Sequence, residues 1–553
     1  MLKALMVSKV SCFDLPAGLT WKAEPLLNIN VINERLDAVS TFSHPENGAA
    51  LDALVQNMKN IGNMRAMMIN LRKGVGGSVP GRNSLSRSVW TSVRGFSFHA
   101  LKIKDALQEV LDGDNLAIKK KARMLSRLIT STNMIQILEK FEGYHLAQVG
   151  RKISETVDFE KSAEEGRTVI LPGIDEELDQ MKRTLNGLED ILNQVAGKLS
   201  EGMPPNLKAS LNVIYFPQIG FLVIVPFDPV TGTAAYDGSF ENPWELMFSA
   251  EGQVYFKTAE VKEMDDHFGD IYGIISDREI EISHDLAQFV LQYEELFTSC
   301  SDACGELDTL LALAQGAKDY KLVRPRMTLE NTVQIEKGRH ILQERTVASF
   351  VPNDTFIVGG AGDNRSDADQ QRDSSSYLQN STTSYESGPS VLILTGPNYS
   401  GKSVYLKQVA LIVFMAHVGS FVPAENATIG LTDRILSRVT TRETVSRAQS
   451  AFMLDLQQIS LALNLATRRS LLVVDEFGKG TNASDGAGLA CAVIEYLLSL
   501  GSERPKVIGA THFHEIFEMG LLRLRPALSF GHLEVKVDAG KSQVDDQITY
   551  LYK

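Results

Sequence analysis

The sequence predicts a multidomain protein in which a largely α-helical region, carrying an inserted coiled-coil stalk with a small β tip, is followed by an α/β domain. Three observations predict this. The chain has 553 residues, and at roughly 100 to 200 residues per domain that length implies about three to five domains. Two apolar seams with heptad spacing, Leu178 to Leu199 and Leu286 to Leu310, flank a segment with strand character. Further on, an apolar strand at Val391 to Leu394 leads through a glycine-rich loop into a helix, the first step of an α/β pattern.

Hydrophobic residues make up 44% and charged residues 22% of the chain, so it can bury a core. Lys and Arg total 55 against 68 Asp and Glu, a formal charge of -13, which argues against a protein that grips nucleic acid by overall attraction. Any DNA contact must be local or topological. Cys12, Cys300, Cys304 and Cys491 are too scattered for a disulfide framework and form no paired CxxC zinc motif, which points to a reducing compartment. Lys3 and Lys9 interrupt the start before a secretory apolar core develops, and the best apolar stretch, Val409 to Ala416, is far short of about 18 residues. A soluble intracellular protein without a membrane partner is expected.

The first part of the chain reads as helical, with apolar residues recurring at three and four in Val31 to Phe42 and Leu101 to Leu138. The glycine-rich stretch Gly74 to Gly81 has no Lys-Ser or Lys-Thr pair after it and reads as a connector. The basic run Lys119, Lys120, Lys121, Arg123 and Arg127 reads as a solvated helix face, with a DNA or nuclear-import patch as the alternative.

In the first seam Leu178, Met181, Leu185, Leu188, Leu192, Val195 and Leu199 step by three and four. The second runs through Leu286, Phe289, Tyr293, Leu296, Cys300, Ala303, Leu307 and Leu310. At 1.5 Å per residue the two are roughly 33 and 37 Å long, and the match suggests that they zip into an antiparallel stalk. Two ordinary amphipathic helices of one core are the alternative. On the stalk reading Cys300 and Cys304 fall on the seam side as buried apolar residues and are not metal ligands. Between the seams, Leu211 to Phe227 reads as two strands joined by a turn near Pro217 to Gly220.

Residues 361–389 are poor in large aliphatic side chains and rich in Ser, Asp, Asn and Gln, the composition of a disordered insertion. The segment that follows, VLILTGPNYSGKSVYLKQVALIVF, holds Gly396, four residues, then Gly401, Lys402 and Ser403, and so satisfies GxxxxGK[ST]. A strand precedes the loop and a helix that reads as amphipathic follows it, so backbone N–H groups and the helix N-terminus can converge on phosphate oxygens. Lys402 reaches the β- and γ-phosphates in this motif and Ser403 ligates Mg²⁺, which predicts ATP and Mg²⁺ as cofactors. The loop residues Gly396, Pro397, Asn398, Tyr399, Ser400, Gly401, Lys402, Ser403 and Val404 are the candidate nucleotide contacts.

A second apolar run, Leu471 to Val474, ends in Asp475 and Glu476, which places two carboxylates at the C-terminal edge of a parallel strand, where ligands sit in such sheets. Asp475 can hold Mg²⁺ and Glu476 can orient water. A third strand ends at His512, which can sense or stabilise the γ-phosphate.

GPNYSGKS, the Ser450-Ala451-Phe452-Met453 stretch, DEFGKGTNASDG from Asp475 and ATHFHE from Ala510 closely resemble the ATPase module of the MutS family. Upstream, NINVINERLDAV at Asn28 resembles the start of the family's lever domain, GIDEELDQM at Gly173 the start of its clamp, and EKGRHILQERTVASFVPND the approach to its ATPase. The stretch YLKQVALIVFMAHVGSFVPAENATIG is most similar to the fifth eukaryotic homologue, the meiotic crossover branch. The resemblance implies an ABC-type P-loop ATPase whose composite sites form between two subunits, with a helical lever and a clamp that encircles duplex DNA. It divides the chain into a helical lever over 1–172, a clamp over 173–285, a lever return helix over 286–325 and the ATPase domain over 326–553.

The family's roles fall on Asn398 and Gly401 to Ser403 for phosphate, Asp475 for Mg²⁺, Glu476 for water and His512 as a switch. Phe350 and Val351 match the adenine-packing pair, and Tyr552 the ring stacked on adenine. Ser450 matches the residue that reaches the partner's γ-phosphate, and Asp485 and Gly486 a loop facing that partner. Three departures accompany these matches. The family's Ser-Thr signature reads Ser450-Ala451, which implies weaker activation across the interface. A mismatch-reading domain is not expected before the lever, and the chain is expected to stop at Lys553 short of the dimerisation helix-turn-helix. The favoured function is an ATP-driven DNA clamp on branched recombination intermediates, nuclear, acting as a heterodimer with the fourth eukaryotic MutS homologue on double-stranded or branched DNA. The alternatives are a non-catalytic scaffold, expected to be monomeric with very low ATPase activity, and a mismatch-repair homologue.

Overall fold

The computed structural model describes residues 26–75, 87–113, 132–362 and 388–552, apart from residues 202, 206, 217–218, 229–232, 240–241, 251, 439–450, 480 and 538–547. The basic run at 119–127, most of the glycine-rich connector, most of the 361–389 insertion and Ser450 lie outside the described residues. The described parts of 60–101 with 142–301 form one compact unit, and those of 1–59, 102–141 and 302–553 another.

The first unit contains the expected hairpin. Strands β1 (Asn212–Phe216) and β2 (Gly220–Asp228) pair antiparallel with Phe216 opposite Gly220. Gly220 has φ +89, and a Cβ there would lie 2.1 Å from the Asp265 carboxylate, which accepts from the Phe221 N–H at 2.8 Å. The turn therefore needs glycine. Three strands that the sequence did not suggest complete the sheet: β3 (Thr233–Ala234), β4 (Glu245–Ala250) and β5 (Gln253–Lys257), in the order β1-β2-β5-β4 with β3 on β2.

The first seam is two helices, α1 (Glu176–Asn186) and α2 (Leu188–Glu201), parted at Gly187. Asp175 caps α1 by accepting from the Leu178 N–H at 2.8 Å, and Glu176, Glu177 and Asp179 favour the positive end of its dipole. Helix α3 (Ala259–Phe268) follows the sheet, and Leu178 packs with Ile271 and Ile275 of α4 (Ile271–Leu291), whereas Leu188, Leu192, Val195 and Leu199 of α2 pack on Val213, Phe221 and Val223 of the sheet. The zipped stalk of Leu178–Leu199 against Leu286–Leu310 is thus corrected. The apolar spacing holds, but the return helix begins at Ile271, and half of the first seam is satisfied by a sheet. In the second seam Phe297 meets Phe96 with ring centroids 5.7 Å apart and Tyr293 meets His145 at 5.3 Å. Cys300 and Cys304 are buried, as their seam positions require.

Besides the two-stranded pairing of Val535–Val537 with Ile548–Tyr550, the second unit holds two larger sheets among the described residues. Strands β6 (Arg326–Thr328), β7 (Thr332–Gly338), β8 (Asn353–Val358) and β10 (Asn426–Gly430) form a mixed sheet in the order β6-β10-β7-β8. A five-stranded parallel sheet takes β9 (Val391–Thr395), β11 (Ile435–Arg438), β12 (Leu471–Asp475), β13 (Lys506–Ala510) and β14 (Leu528–His532) in the order β11-β12-β13-β9-β14. Helix α5 (Lys402–Val418) shares one core with both sheets, its Leu406, Val409, Ile412 and Val413 packing with Val333 and Ile357 on one side and Val473 and Ile508 on the other. The expected amphipathic pattern is absent because α5 has no solvent face to speak of. It is a core helix covered from two directions.

The candidate nucleotide site

Parallel strands bring their C-terminal ends to one edge, and the register decides which residues meet there. Leu394 of β9 and Asp475 of β12 both pair with Ala510 of β13. The Thr511 N–H donates to the Leu394 carbonyl at 3.0 Å and the Glu476 N–H to the Ala510 carbonyl at 3.0 Å. The glycine-rich loop, the two acids and His512 therefore emerge from three adjacent strands at one level.

The loop turns on Gly396 (φ +146) and Gly401 (φ +101), with Tyr399 also left-handed at φ +66. Tyr399 is 87% exposed, while Ser400 and Lys402 are buried. The Lys402 ammonium donates to the carbonyls of Gly396 at 2.7 Å and Pro397 at 3.0 Å. Burial pushes the Lys402 pKa below the ordinary lysine value, and the charges of Glu476 and Asp475 oppose that shift. Glu476 is one of the non-glycine residues with positive φ, at +51. A conformation of this kind costs about 1 to 3 kcal/mol and persists where its surroundings enforce it.

A cavity of about 690 Å³ adjoins the loop. Asn398, Tyr399, Ser400, Gly401, Ser403 and Val404 line its loop side together with Lys402 and Glu476. Phe350, Val351 and Tyr552 line it too, and the volume suits a nucleotide-sized ligand. Asn353 ties these together, its Nδ2 donating to the Val351 carbonyl at 3.1 Å and to the Tyr552 carbonyl at 3.1 Å. Tyr552 follows strand Ile548–Tyr550, and its ring lies against Gly401, 3.3 Å from where a Cβ would sit. Asp475 and His512 stand at the strand edge but are not among the cavity walls. His512 packs on Phe513 with ring centroids 4.2 Å apart, and burial pushes its pKa down, so the ring is neutral at pH 7.

The donor set fits a phosphate with a bound cation. Oδ1 of Asp475, Oγ of Ser400 and Nδ1 of His512 are buried without a hydrogen-bond partner among the described residues. Buried polar atoms left unpaired are costly, and three of them around one loop mark where a polar ligand completes the bonding. Asp475 and Ser403 would hold Mg²⁺, and Lys402 with the loop N–H groups the phosphates.

Asp485 and Gly486, expected in a loop, lie in the first turn of helix Ala483–Ser499, with Gly486 pressed against Gly478. Two groups at the site were not foreseen. Lys479 forms an ion pair with Glu476 at 3.1 Å, and Arg438 donates to the Asp475 carbonyl while pairing with Asp455. The charge alternation in DEFGK signals the first, while nothing local signals the second.

The profile of MutS domain III matches residues 20–314 and that of MutS domain V residues 392–553. MutS protein homolog 5 of Saccharomyces cerevisiae is 32% identical over 515 residues, covering 91% of this chain and 52% of that protein. MutS protein homolog 5 of Caenorhabditis elegans is 30% identical over 363 residues, 65% of this chain and 24% of its own length. DNA mismatch repair protein MutS of Alkaliphilus oremlandii is 28% identical over 516 residues, 90% of this chain and 49% of the relative. The chain thus spans about half the length of the yeast and bacterial relatives. Two profiles of one family, matched in succession along the sequence with the first covering more than half of it, show that the chain belongs to the MutS family.

Proposed function

We propose that this chain is the ATP-hydrolysing core of a DNA clamp acting on branched recombination intermediates in meiotic crossover formation, in the nucleus and paired with the fourth eukaryotic MutS homologue. The alignment of the phosphate loop, Asp475 and Glu476 on a common strand edge carries the ATPase part of this reading. The similarity to MutS protein homolog 5 of yeast supports the meiotic part.

Lys402 holds two loop carbonyls and can turn its ammonium to the phosphates without leaving its buried seat. Mg²⁺ at Asp475 and Ser403 would offset charge on the transferred phosphoryl group. Glu476 accepts from and orients the attacking water, and neutral His512 offers one hydrogen bond at the same edge. Because the chain is acidic overall, DNA is held by enclosure and by phosphate contacts rather than by a basic face.

Lys402→Ala and Glu476→Gln separate binding from turnover. Lys402→Ala is expected to weaken ATP binding, and Glu476→Gln to keep binding while slowing hydrolysis by roughly 10² or more. Equal loss of binding in both would overturn the assignment. Binding of branched DNA by the purified pair, with and without ATP, tests the clamp. A second reading, mismatch repair, draws on the similarity to bacterial DNA mismatch repair protein MutS. About tenfold preference for mismatched over matched duplex would favour it.

A further inference from the structure

The cavity wall contains a buried amide that the proposed reaction does not use. Gln408 lies on α5 six residues after Lys402, roughly 9 Å along the axis at 1.5 Å per residue. The residue is 1% exposed and lines the cavity, yet neither Oε1 nor Nε2 has a hydrogen-bond partner among the described residues. An amide that has lost water and gained nothing in return is costly, so one that persists in a cavity wall points to a ligand that supplies its partners.

The place of the amide says which part of the ligand. A Cβ on Gly338 would lie 2.8 Å from Gln408 Nε2 and 3.2 Å from the Asn353 carbonyl oxygen, so the amide stands beside Asn353. Asn353 is the residue that bridges Val351 and Tyr552. Gln408 therefore stands on the side of the cavity bordered by Phe350, Val351 and Tyr552, its backbone a helix turn and more beyond Lys402. Apolar and aromatic groups there suit the faces of a base, and they leave its polar edge unread. A carboxamide presents one acceptor beside two donors, the complement of adenine's exocyclic amine and the ring nitrogen next to it.

We propose that Gln408 is the base-reading residue of this site, with Oε1 accepting from the exocyclic amine of ATP and Nε2 donating to the adjoining ring nitrogen. The inference rests on the nucleotide-site reading above and adds to it the determinant of base specificity. In the sequence the residue stands out as the one polar side chain between Lys407 and His417, amid QVALIVFMAH.

The full chain is titrated with ATP and with purine riboside 5′-triphosphate, which keeps the ring and phosphates but lacks the amine. The unmutated chain is expected to prefer ATP by about tenfold, the scale of a buried hydrogen-bonding group left unpaired. In Gln408→Leu and in the similarly sized Gln408→Met that preference disappears while both triphosphates still bind. Equal affinities in the unmutated chain overturn the inference whatever the variants do, and so does a preference retained by either folded variant. Failure to bind either triphosphate would overturn the nucleotide site as well, so the two failures are told apart.

Discussion

Lys479 Nζ lies 3.1 Å from Glu476 Oε2, so the carboxylate expected to orient water is paired with a cation three residues further along its own loop. Burial is the main cause that lowers the pKa values of Lys402 and His512, and the charge of this ammonium adds to both shifts. Its side chain is 61% exposed, so the pair contributes well under about 1 kcal/mol to stability. Lys479→Ala should therefore melt nearly as the unmutated chain does and bind ATP severalfold more weakly at low salt, the deficit shrinking as salt screens the charge. Isothermal titration across ionic strengths checks this. An unchanged affinity at low salt would show that Lys479 does not act on the phosphates.

Gly478 and Gly486 allow the loop after Glu476 to pass directly against helix Ala483–Ser499. A Cβ on Gly478, which has φ +93, would lie 2.7 Å from the Gly486 carbonyl oxygen, and one on Gly486 would lie 2.4 Å from that of Gly478. Both obstacles are backbone, so no side chain can swing aside. Gly486→Ala, with an ordinary φ, should lower stability by about 1 to 3 kcal/mol and reduce hydrolysis more than ATP binding, because it displaces the Glu476 loop and spares the phosphate loop. Denaturant melts with parallel binding and turnover assays read out both effects.

What could be foreseen follows from how local each signal is. The phosphate loop, Asp475, Glu476 and His512 are spelled within single strand-to-loop junctions, and parallel pairing then brings the junctions together without further instruction. The hairpin at Asn212–Asp228 is equally local. The seam from Leu178 to Leu199 announces an apolar stripe but not its partner, and a sheet serves α2 as well as a helix would. Gln408 and Arg438 acquire their roles only through burial among residues distant in sequence, which no spacing encodes.

Lys506 is fully buried on β13, its ammonium donating to the Asn331 side-chain oxygen and, at 3.1 Å, to the Arg469 carbonyl. Burial pushes its pKa down to about 7, the charge of Arg469 adding to the shift and that of Asp433 opposing it. A lysine in the unfolded chain keeps its proton up to about 10.4. Between about pH 7 and 10 the unfolded chain thus binds more protons at this residue than the folded one, so its contribution to stability rises with pH there, and below pH 7 the burial penalty is fully present. Relative to Lys506→Met, the unmutated chain should gain up to about 1.4 kcal/mol per pH unit between pH 7 and 9. Denaturation of both at three pH values decides it, and parallel curves would sink the assignment.

Arg438 joins Asp475, the proposed metal ligand, to the helix that begins at Ala451. The residue is 4% exposed, pairs with Asp455, its Nε lying 3.1 Å from Oδ1, and donates through Nη1 to the Asp475 carbonyl. Removing one partner of a buried pair leaves the other charge uncompensated, which costs about 3 to 5 kcal/mol, whereas replacing both by apolar groups is often close to neutral. Asp455→Asn should therefore be strongly destabilised, and Arg438→Leu combined with Asp455→Leu less so than the single changes added together. Turnover should behave differently. The double variant still lacks the donor that holds the Asp475 carbonyl, so it should fold yet hydrolyse ATP at least about tenfold more slowly, with the loss largest at limiting Mg²⁺ because the metal-side carboxylate has lost its support. Chemical denaturation and a Mg²⁺ titration of the hydrolysis rate separate the two effects. A double variant that regains full turnover along with its stability would show that Arg438 serves the fold alone.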